Sequence, residues 1–244
     1  MIQRITIESD QQKGALLHLR TDQAHYLHRV LRLGEGDRFI AQDGKGQQWL
    51  AVLTKLPAQA EVLEEIVSLL PSSTAPLRLI AALPKGNSFD QVVRQATELG
   101  VSHIYPVISD RTLLRPKGNK LERWRRIANE ASEQSERVTV PDIASPVALK
   151  QCLQQTPWEG LCYICAARQN APHLLFELQA HLTSGDVRSV NLMIGPEGGW
   201  TSDEITVAIH HSYKVVSLGS AILRATTAAV TALSLVTSAR ELLI

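Results

Sequence analysis

The stretch Asn191-Leu192-Met193-Ile194-Gly195-Pro196-Glu197-Gly198-Gly199-Trp200-Thr201-Ser202-Asp203-Glu204 decides the fold. It opens with a short apolar run of strand length that stops at Gly195-Pro196. Thr201 and Glu204, three residues apart and ahead of a new apolar pattern, fit a capping box that opens a helix. Glycines between strand and helix let the main chain approach a ligand closely, and a helix start offers free N–H groups. A phosphate would suit that arrangement, yet no Lys-Ser or Lys-Thr follows, so the segment is not a Walker A loop. The glycine spacing does not match a dinucleotide fingerprint either. A tight strand-to-helix turn without any ligand accounts for the same residues.

A second segment repeats the plan. Val215-Val216-Ser217-Leu218-Gly219-Ser220-Ala221-Ile222-Leu223-Arg224-Ala225-Thr226-Thr227-Ala228 runs strand, glycine turn, apolar loop, helix. An apolar loop with exposed backbone suits an adenine or a thioether better than a triphosphate. Arg224 stands at the helix opening, where the macrodipole disfavours a cation, so an ordinary surface ion pair explains it poorly.

Outward from these segments, strand and helix alternate. Residues 77–83 are a short apolar run, followed by a turn at Pro84-Lys85-Gly86-Asn87. Ser88 with Gln91 fits a capping box for a helix whose Phe89, Val92, Val93, Ala96 and Leu99 share one face. Gly100 ends it, and residues 101–108 return as a strand. Trp124, Ile127, Ala128 and Ala131 mark another helix face. Strands follow near residues 160–166, 190–194 and 214–217, and a last helix runs from about Thr226 to Leu243. Such alternation implies a mostly parallel sheet covered by helices, with ligand loops at the carboxyl ends of its strands.

The first seventy or so residues differ. Residues 37–42 and 48–53 flank Asp43-Gly44-Lys45-Gly46, a hairpin signal. Residues 21–33 read as a short helix with Thr21 as its cap and Gly34 closing it. Short strands and glycine turns suggest a small β-barrel or sandwich. Pro71-Ser72-Ser73-Thr74-Ala75-Pro76, poor in apolar residues and bracketed by prolines, is the best linker in the chain.

Composition sets the outer bounds. Of 244 residues, 44% are hydrophobic and 20% charged, which is ordinary for a globular protein and excludes wholesale disorder. No apolar run reaches bilayer length, and the start, Met1-Ile2-Gln3-Arg4-Ile5-Thr6-Ile7, alternates like a strand rather than a signal peptide. A cytoplasmic location is therefore expected. Three cysteines argue against a disulfide framework; Cys162 and Cys165 sit in an apolar run and read as core residues. Residues 111–126 hold seven basic side chains (Arg111, Arg115, Lys117, Lys120, Arg123, Arg125 and Arg126) against Glu122 alone, a local charge of +6. Such a cluster can neutralise several phosphates, although a solvated surface is the commoner fate of a charge run.

Taken together, the two glycine-bearing segments resemble the cofactor loops of the SPOUT class of methyltransferases. More narrowly the chain resembles the 16S rRNA uridine-N3 methyltransferase family. Three further blocks agree: His25-Tyr26-Leu27-His28-Arg29-Val30-Leu31-Arg32; Lys85-Gly86 with Gln95-Ala96-Thr97-Glu98-Leu99-Gly100-Val101; and Arg123-Trp124 with Glu130-Ala131-Ser132-Glu133-Gln134-Ser135-Glu136-Arg137. The resemblance implies an N-terminal PUA-like β-barrel, residues 1–72, before an α/β domain tied in a trefoil knot, residues 73–244. It implies S-adenosyl-L-methionine as cofactor, 16S rRNA or the small ribosomal subunit as partner, and a homodimer formed through the knotted domain. Neither a metal nor a membrane is implied.

Roles follow by the same resemblance. Leu83, Gly195, Glu197, Gly198, Leu218, Gly219, Ile222 and Leu223 match the cofactor loops, giving mostly backbone and apolar surface. Arg224 matches a contact to the target base or a phosphate. His25, His28, Arg29 and Arg32 match the RNA-facing block of the barrel, and Arg111, Arg115 and Lys117 join them on charge. Glu197 is a candidate general base, or its carboxylate organises neighbouring N–H groups; both remain open. The chain also departs from the family: Ser220-Ala221 stand where a Pro-Arg pair is usual, and Thr226 where Glu is usual. If Thr226 replaces a structural acid, it serves as the helix cap. These losses of charge motivate a second hypothesis, an RNA-binding assembly protein that kept the fold and lost catalysis. A nucleotide hydrolase ranks last, lacking a phosphate lysine and a metal carboxylate pair.

Overall fold

The computed structural model describes residues 2–66, 75–112, 118–155, 158–181 and 188–242. Most of the expected linker at 71–76, together with Arg115 and Lys117, therefore lies outside the described residues. The chain forms two compact units, one drawn from Met1–Ser73 and Asn129–Val140, the other from Thr74–Ala128 and Pro141–Ile244.

In the first unit the strands are β1 (Arg4–Thr6), β2 (Gln12–Lys13), β3 (Leu16–His18), β4 (Arg38–Gln42), β5 (Gln48–Leu53) and β6 (Gln59–Glu65), with a helix, α1 (Thr21–His25), after β3. They form one sheet in the order β1-β4-β5-β6-β3-β2, antiparallel except for β1 beside β4. The hairpin forms where expected: Gln42 pairs with Gln48. Asp43 closes it, its Oδ1 accepting the N–H groups of Lys45 at 2.7 Å and Gln47 at 2.9 Å. Alternate residues Leu17, Phe39, Ala41, Ala51, Leu53 and Ala60 point inward and exclude water. Late residues complete this unit: Glu133, its pKa raised by burial, accepts the Thr6 N–H at 2.6 Å.

Two expectations about the first helix are corrected. Arg20, not Thr21, occupies the cap position, and its N–H is taken by the Gln23 side chain at 2.8 Å. Gln23 is buried against Gln11, so side-chain packing rather than a hydroxyl starts the helix. Its end widens into a π turn over Tyr26–Val30, with Leu27 fully buried. The chain then reverses at Arg32, φ +60°, rather than at Gly34, whose N–H goes to Asp37 Oδ2 at 2.7 Å.

The second unit is the α/β part. It runs β7 (Leu77–Ala82), α2 (Ser88–Glu98), β8 (His103–Ile108), α3 (Lys120–Gln134), β9 (Asp142–Ile143), β10 (Val147–Ala148), α4 (Leu149–Gln155), β11 (Leu161–Cys165), α5 (Leu174–His181), β12 (Val190–Ile194), α6 (Ser202–His210), β13 (Lys214–Val216) and α7 (Ala225–Glu241), with only Lys120–Ala128 of α3 counted here. All seven strands are parallel, in the order β10-β8-β7-β12-β11-β13 with β9 beside β8. Every residue of β12 is buried, as a strand covered on both faces requires. Helix α7 packs on α2, α5 and β12, and α4 packs on α6.

The capping box expected at Ser88 does not form. Asn87 occupies the cap without a side-chain bond, and Ser88 is already helical. The acid of that first turn, Asp90, is instead buried and pins α3: Arg123 Nε donates to it at 2.8 Å and Trp124 Nε1 at 3.1 Å. Cys162 and Cys165 are buried thiols of the core, as read from their apolar run, and Cys152 is buried as well. Because neighbouring strands run parallel, the carboxyl ends of β11, β12 and β13 fall on one edge of the sheet.

Candidate functional site

On that edge the loops after β11, β12 and β13 line a cavity of about 370 Å³. The loop after β12 follows the sequence expectation closely. Thr201 Oγ1 accepts the Glu204 N–H at 3.2 Å and Glu204 Oε2 accepts the Thr201 N–H at 2.8 Å, so the capping box is complete. The other Glu204 oxygen accepts the Asp110 N–H at 2.9 Å, tying this turn to the end of β8. Gly195 lies flush against the Trp200 indole; a methyl group there would sit 3.2 Å from the ring.

Two charged groups are already engaged at this loop, one of them, Arg111, from the segment after β8. Arg111 donates through Nη1 to the carbonyl oxygens of Gly198 at 2.6 Å and Trp200 at 3.4 Å. Its aliphatic stem also covers Gly198. Glu197 is exposed, and its Oε1 accepts the Lys85 N–H at 3.1 Å from the loop after β7.

The loop after β13 supplies Leu218, Gly219, Ala221, Ile222 and Leu223. Ser217 Oγ accepts the Gly219 N–H at 3.1 Å, and Gly219 then adopts φ +118°, open to glycine alone among ordinary residues. Ile222 is 61% exposed, an apolar side chain held at the cavity without a protein surface to cover it. Arg224 follows as the cap residue of α7; its side chain makes no cap bond and is exposed, with no hydrogen-bond or ion-pair partner among the described residues. Thr226 is the second residue of α7 and does not cap it.

The third loop, after β11, was not read from the sequence. Cys165, Ala166, Ala167, Arg168 and Gln169 form its share of the wall. Its only local signal is the polar turn Gln169-Asn170-Ala171-Pro172 behind an apolar strand. Burial pushes the Cys165 thiol up to about 12, so it stays protonated at neutral pH and is no nucleophile. The lining sets apolar side chains (Ile194, Leu218, Ile222 and Leu223) beside backbone and polar groups, which suits a bound heterocycle and thioether rather than covalent catalysis.

The remaining expected residues are distributed as follows. Gly195, Glu197, Gly198, Leu218, Gly219, Ile222 and Leu223 all line the cavity, whereas Leu83 is buried, its N–H donating to Val107 O at 3.0 Å, and is not part of the lining. In the first unit His25, Arg29 and Arg32 are exposed. His28 is held between two carbonyl oxygens, Leu33 O at 2.9 Å from Nδ1 and Pro57 O at 3.0 Å from Nε2. Among the described residues no group of three His, Cys, Asp or Glu side chains is placed to hold a metal, and no helix is long and apolar enough to cross a membrane.

Comparison with known proteins adds five findings. Residues 71–237 match an RNA methyltransferase domain and residues 19–65 an RNA methyltransferase PUA domain. The chain is 42% identical to a ribosomal RNA small subunit methyltransferase E of Synechocystis sp., over 99% of this chain and 79% of that protein. It is 30% identical to one of Rickettsia conorii, over 95% and 93%. A crystal structure of a ribosomal RNA small subunit methyltransferase E from Neisseria gonorrhoeae, bound to S-adenosyl methionine, superposes with a TM-score of 0.84 at 28% identity, covering 98% of each chain.

Proposed function

The chain belongs to the ribosomal RNA small subunit methyltransferase E family, and on that premise we propose that it methylates N3 of a uridine in 16S rRNA using S-adenosylmethionine. With membership comes the fold: a PUA-like sheet domain preceding an α/β domain of the knotted SPOUT type. The domain division is taken at 72/73. One observation carries the functional reading: three loops of a parallel sheet join in one glycine-bearing cavity that sets apolar side chains beside polar groups, and a relative of the same fold is bound to S-adenosyl methionine.

Methylation of uracil N3 requires loss of a weakly acidic imide proton and presentation of the resulting anion to an electrophilic methyl carbon, which the bound cofactor supplies. The chain's own part is to bind, align and stabilise. Gly195, Gly198, Leu218, Gly219, Ile222 and Leu223 hold the donor, and Leu83 belongs to the buried core at the end of β7. Arg224, exposed and unpaired among the described residues beside that lining, stabilises negative charge developing on the uracil oxygens. N3 lies on the pairing edge, so the uridine is unpaired or flipped out when it reacts. His25, His28, Arg29 and Arg32 contact RNA from the sheet domain, and Arg111, Arg115 and Lys117 add basic charge. The enzyme works in the cytoplasm as a homodimer formed through the knotted domain.

Glu197 serves in this scheme by holding the Lys85 N–H rather than as the base. Glu197→Gln, which keeps an acceptor oxygen, is expected to retain turnover within about threefold. Removing a general base would instead cost roughly 10²- to 10⁴-fold. Single-turnover rates with saturating donor decide between the two.

The function itself is tested by incubating the protein and labelled S-adenosylmethionine with small subunits, or naked 16S rRNA, from cells lacking the gene. Label in N3-methyluridine at a single position is the expected outcome. RNA binding without label would favour an assembly protein, the alternative motivated by Ser220, Ala221 and Thr226.

A further inference from the structure

The cavity wall carries three charged side chains, and two of them are satisfied by the protein. Arg111 is spent on the carbonyl oxygens of Gly198 and Trp200, and Glu197 on the Lys85 N–H. The third is Arg168, exposed, lining the cavity, and without a hydrogen-bond or ion-pair partner among the described residues. Its backbone takes φ +60°, which a side chain with a Cβ rarely adopts unless its surroundings enforce it.

Those surroundings are visible. The Ala166 N–H donates to Val216 O at 3.1 Å, the Ser217 N–H to Pro172 O at 2.9 Å, and the Leu174 N–H to Ser217 O at 2.9 Å. The loop is thereby fastened on both sides of Arg168 to the strand end that leads into the Leu218-Gly219 turn. A guanidinium held beside the cavity and left without a protein acceptor is free to take an anion from the ligand. In S-adenosylmethionine the single anionic group is the α-carboxylate, whose two oxygens match the guanidinium fork.

We propose that Arg168 binds the α-carboxylate of the methyl donor and so sets the cavity's preference for a cofactor carrying an intact amino acid. This rests on the cavity being the donor site, and the test separates the two. Calorimetry would compare S-adenosylhomocysteine, which has the carboxylate, with 5′-methylthioadenosine, which keeps the adenosine and thioether and lacks the amino acid. Arg168→Ala is expected to weaken S-adenosylhomocysteine about tenfold or more, the usual scale for a hydrogen-bonded charge, and to leave methylthioadenosine unchanged. Arg168→Lys should recover part of the loss.

An equal loss for both ligands would overturn the assignment, making Arg168 a shaper of the loop. Unchanged S-adenosylhomocysteine affinity with weakened RNA binding would overturn it in favour of a phosphate contact. Wild-type protein that bound neither ligand would remove the donor-site premise itself.

Discussion

Arg224→Ala is expected to lower single-turnover methyl transfer by about 10²- to 10³-fold while donor affinity stays within about twofold, the scale seen when one donor to a developing oxyanion is removed. The geometry separates the two effects. Arg224 caps α7 through its backbone, φ −64° and ψ 154°, and its side chain makes no cap bond, so alanine leaves the helix start intact. A cation at a helix amino terminus is mildly unfavourable, and its removal should not lower thermal stability. The side chain is no part of the cavity lining, unlike its neighbours Leu223 and Ala225. It is therefore available to substrate rather than to donor. Arg224→Lys should recover part of the rate, since a point charge replaces a planar fork imperfectly. Collapse of donor affinity with normal turnover at saturating donor would show that Arg224 builds the cofactor site instead.

How much of this site was legible in the sequence depends on how local each signal is. The strand Val190–Ile194 and the Thr201–Glu204 box lie where the sequence put them, because a five-residue buried strand and a capping box are written within a few residues. The hairpin at Asp43-Gly44-Lys45-Gly46 is equally local. Ser88 and Thr21 carry the same kind of signal and fail. In each, a neighbouring side chain found a tertiary partner, Asp90 with α3 and Gln23 with Gln11, and helix entry followed packing. The π turn through Tyr26–Val30 has no sequence mark at all.

The loop after β11 was missed for a different reason. Ala166-Ala167-Arg168-Gln169 has no glycine fingerprint, and its membership of the site comes from β11 standing between β12 and β13. Strand order is a tertiary fact that alternation along a chain does not encode. Arg111 shows the converse. Read as one charge in a basic run, it proves to hold two loop carbonyls, so net charge identified the segment but not this side chain's task. The two glycine segments were legible because the backbone conformation they need is restrictive enough to be seen in composition.

Gly219→Ala puts that last point to a measurement, and it is expected to weaken S-adenosylmethionine binding about 5- to 100-fold with little loss of melting temperature. Gly219 has φ +118°, well beyond the left-handed well near +57°, and forcing a Cβ-bearing residue into so sparse a region costs about 1–3 kcal/mol. At 1.4 kcal/mol per tenfold, that cost spans the stated range if all of it falls on binding. Space is not the obstacle, since a Cβ at 219 would meet nothing within 4 Å. The strain must therefore be relieved by rotation of the backbone. The elements behind it, β13 with buried Val216 and α7 with buried Ala225 and Ala229, resist movement, whereas Ser220, Ala221 and Ile222 are exposed and yield cheaply. The loop thus swings away from the donor-competent shape while the fold persists. Ser220→Ala, on the next residue but without a positive φ, is the control and should bind normally. Donor affinity within twofold of wild type in Gly219→Ala would mean that this turn does not shape the cofactor site.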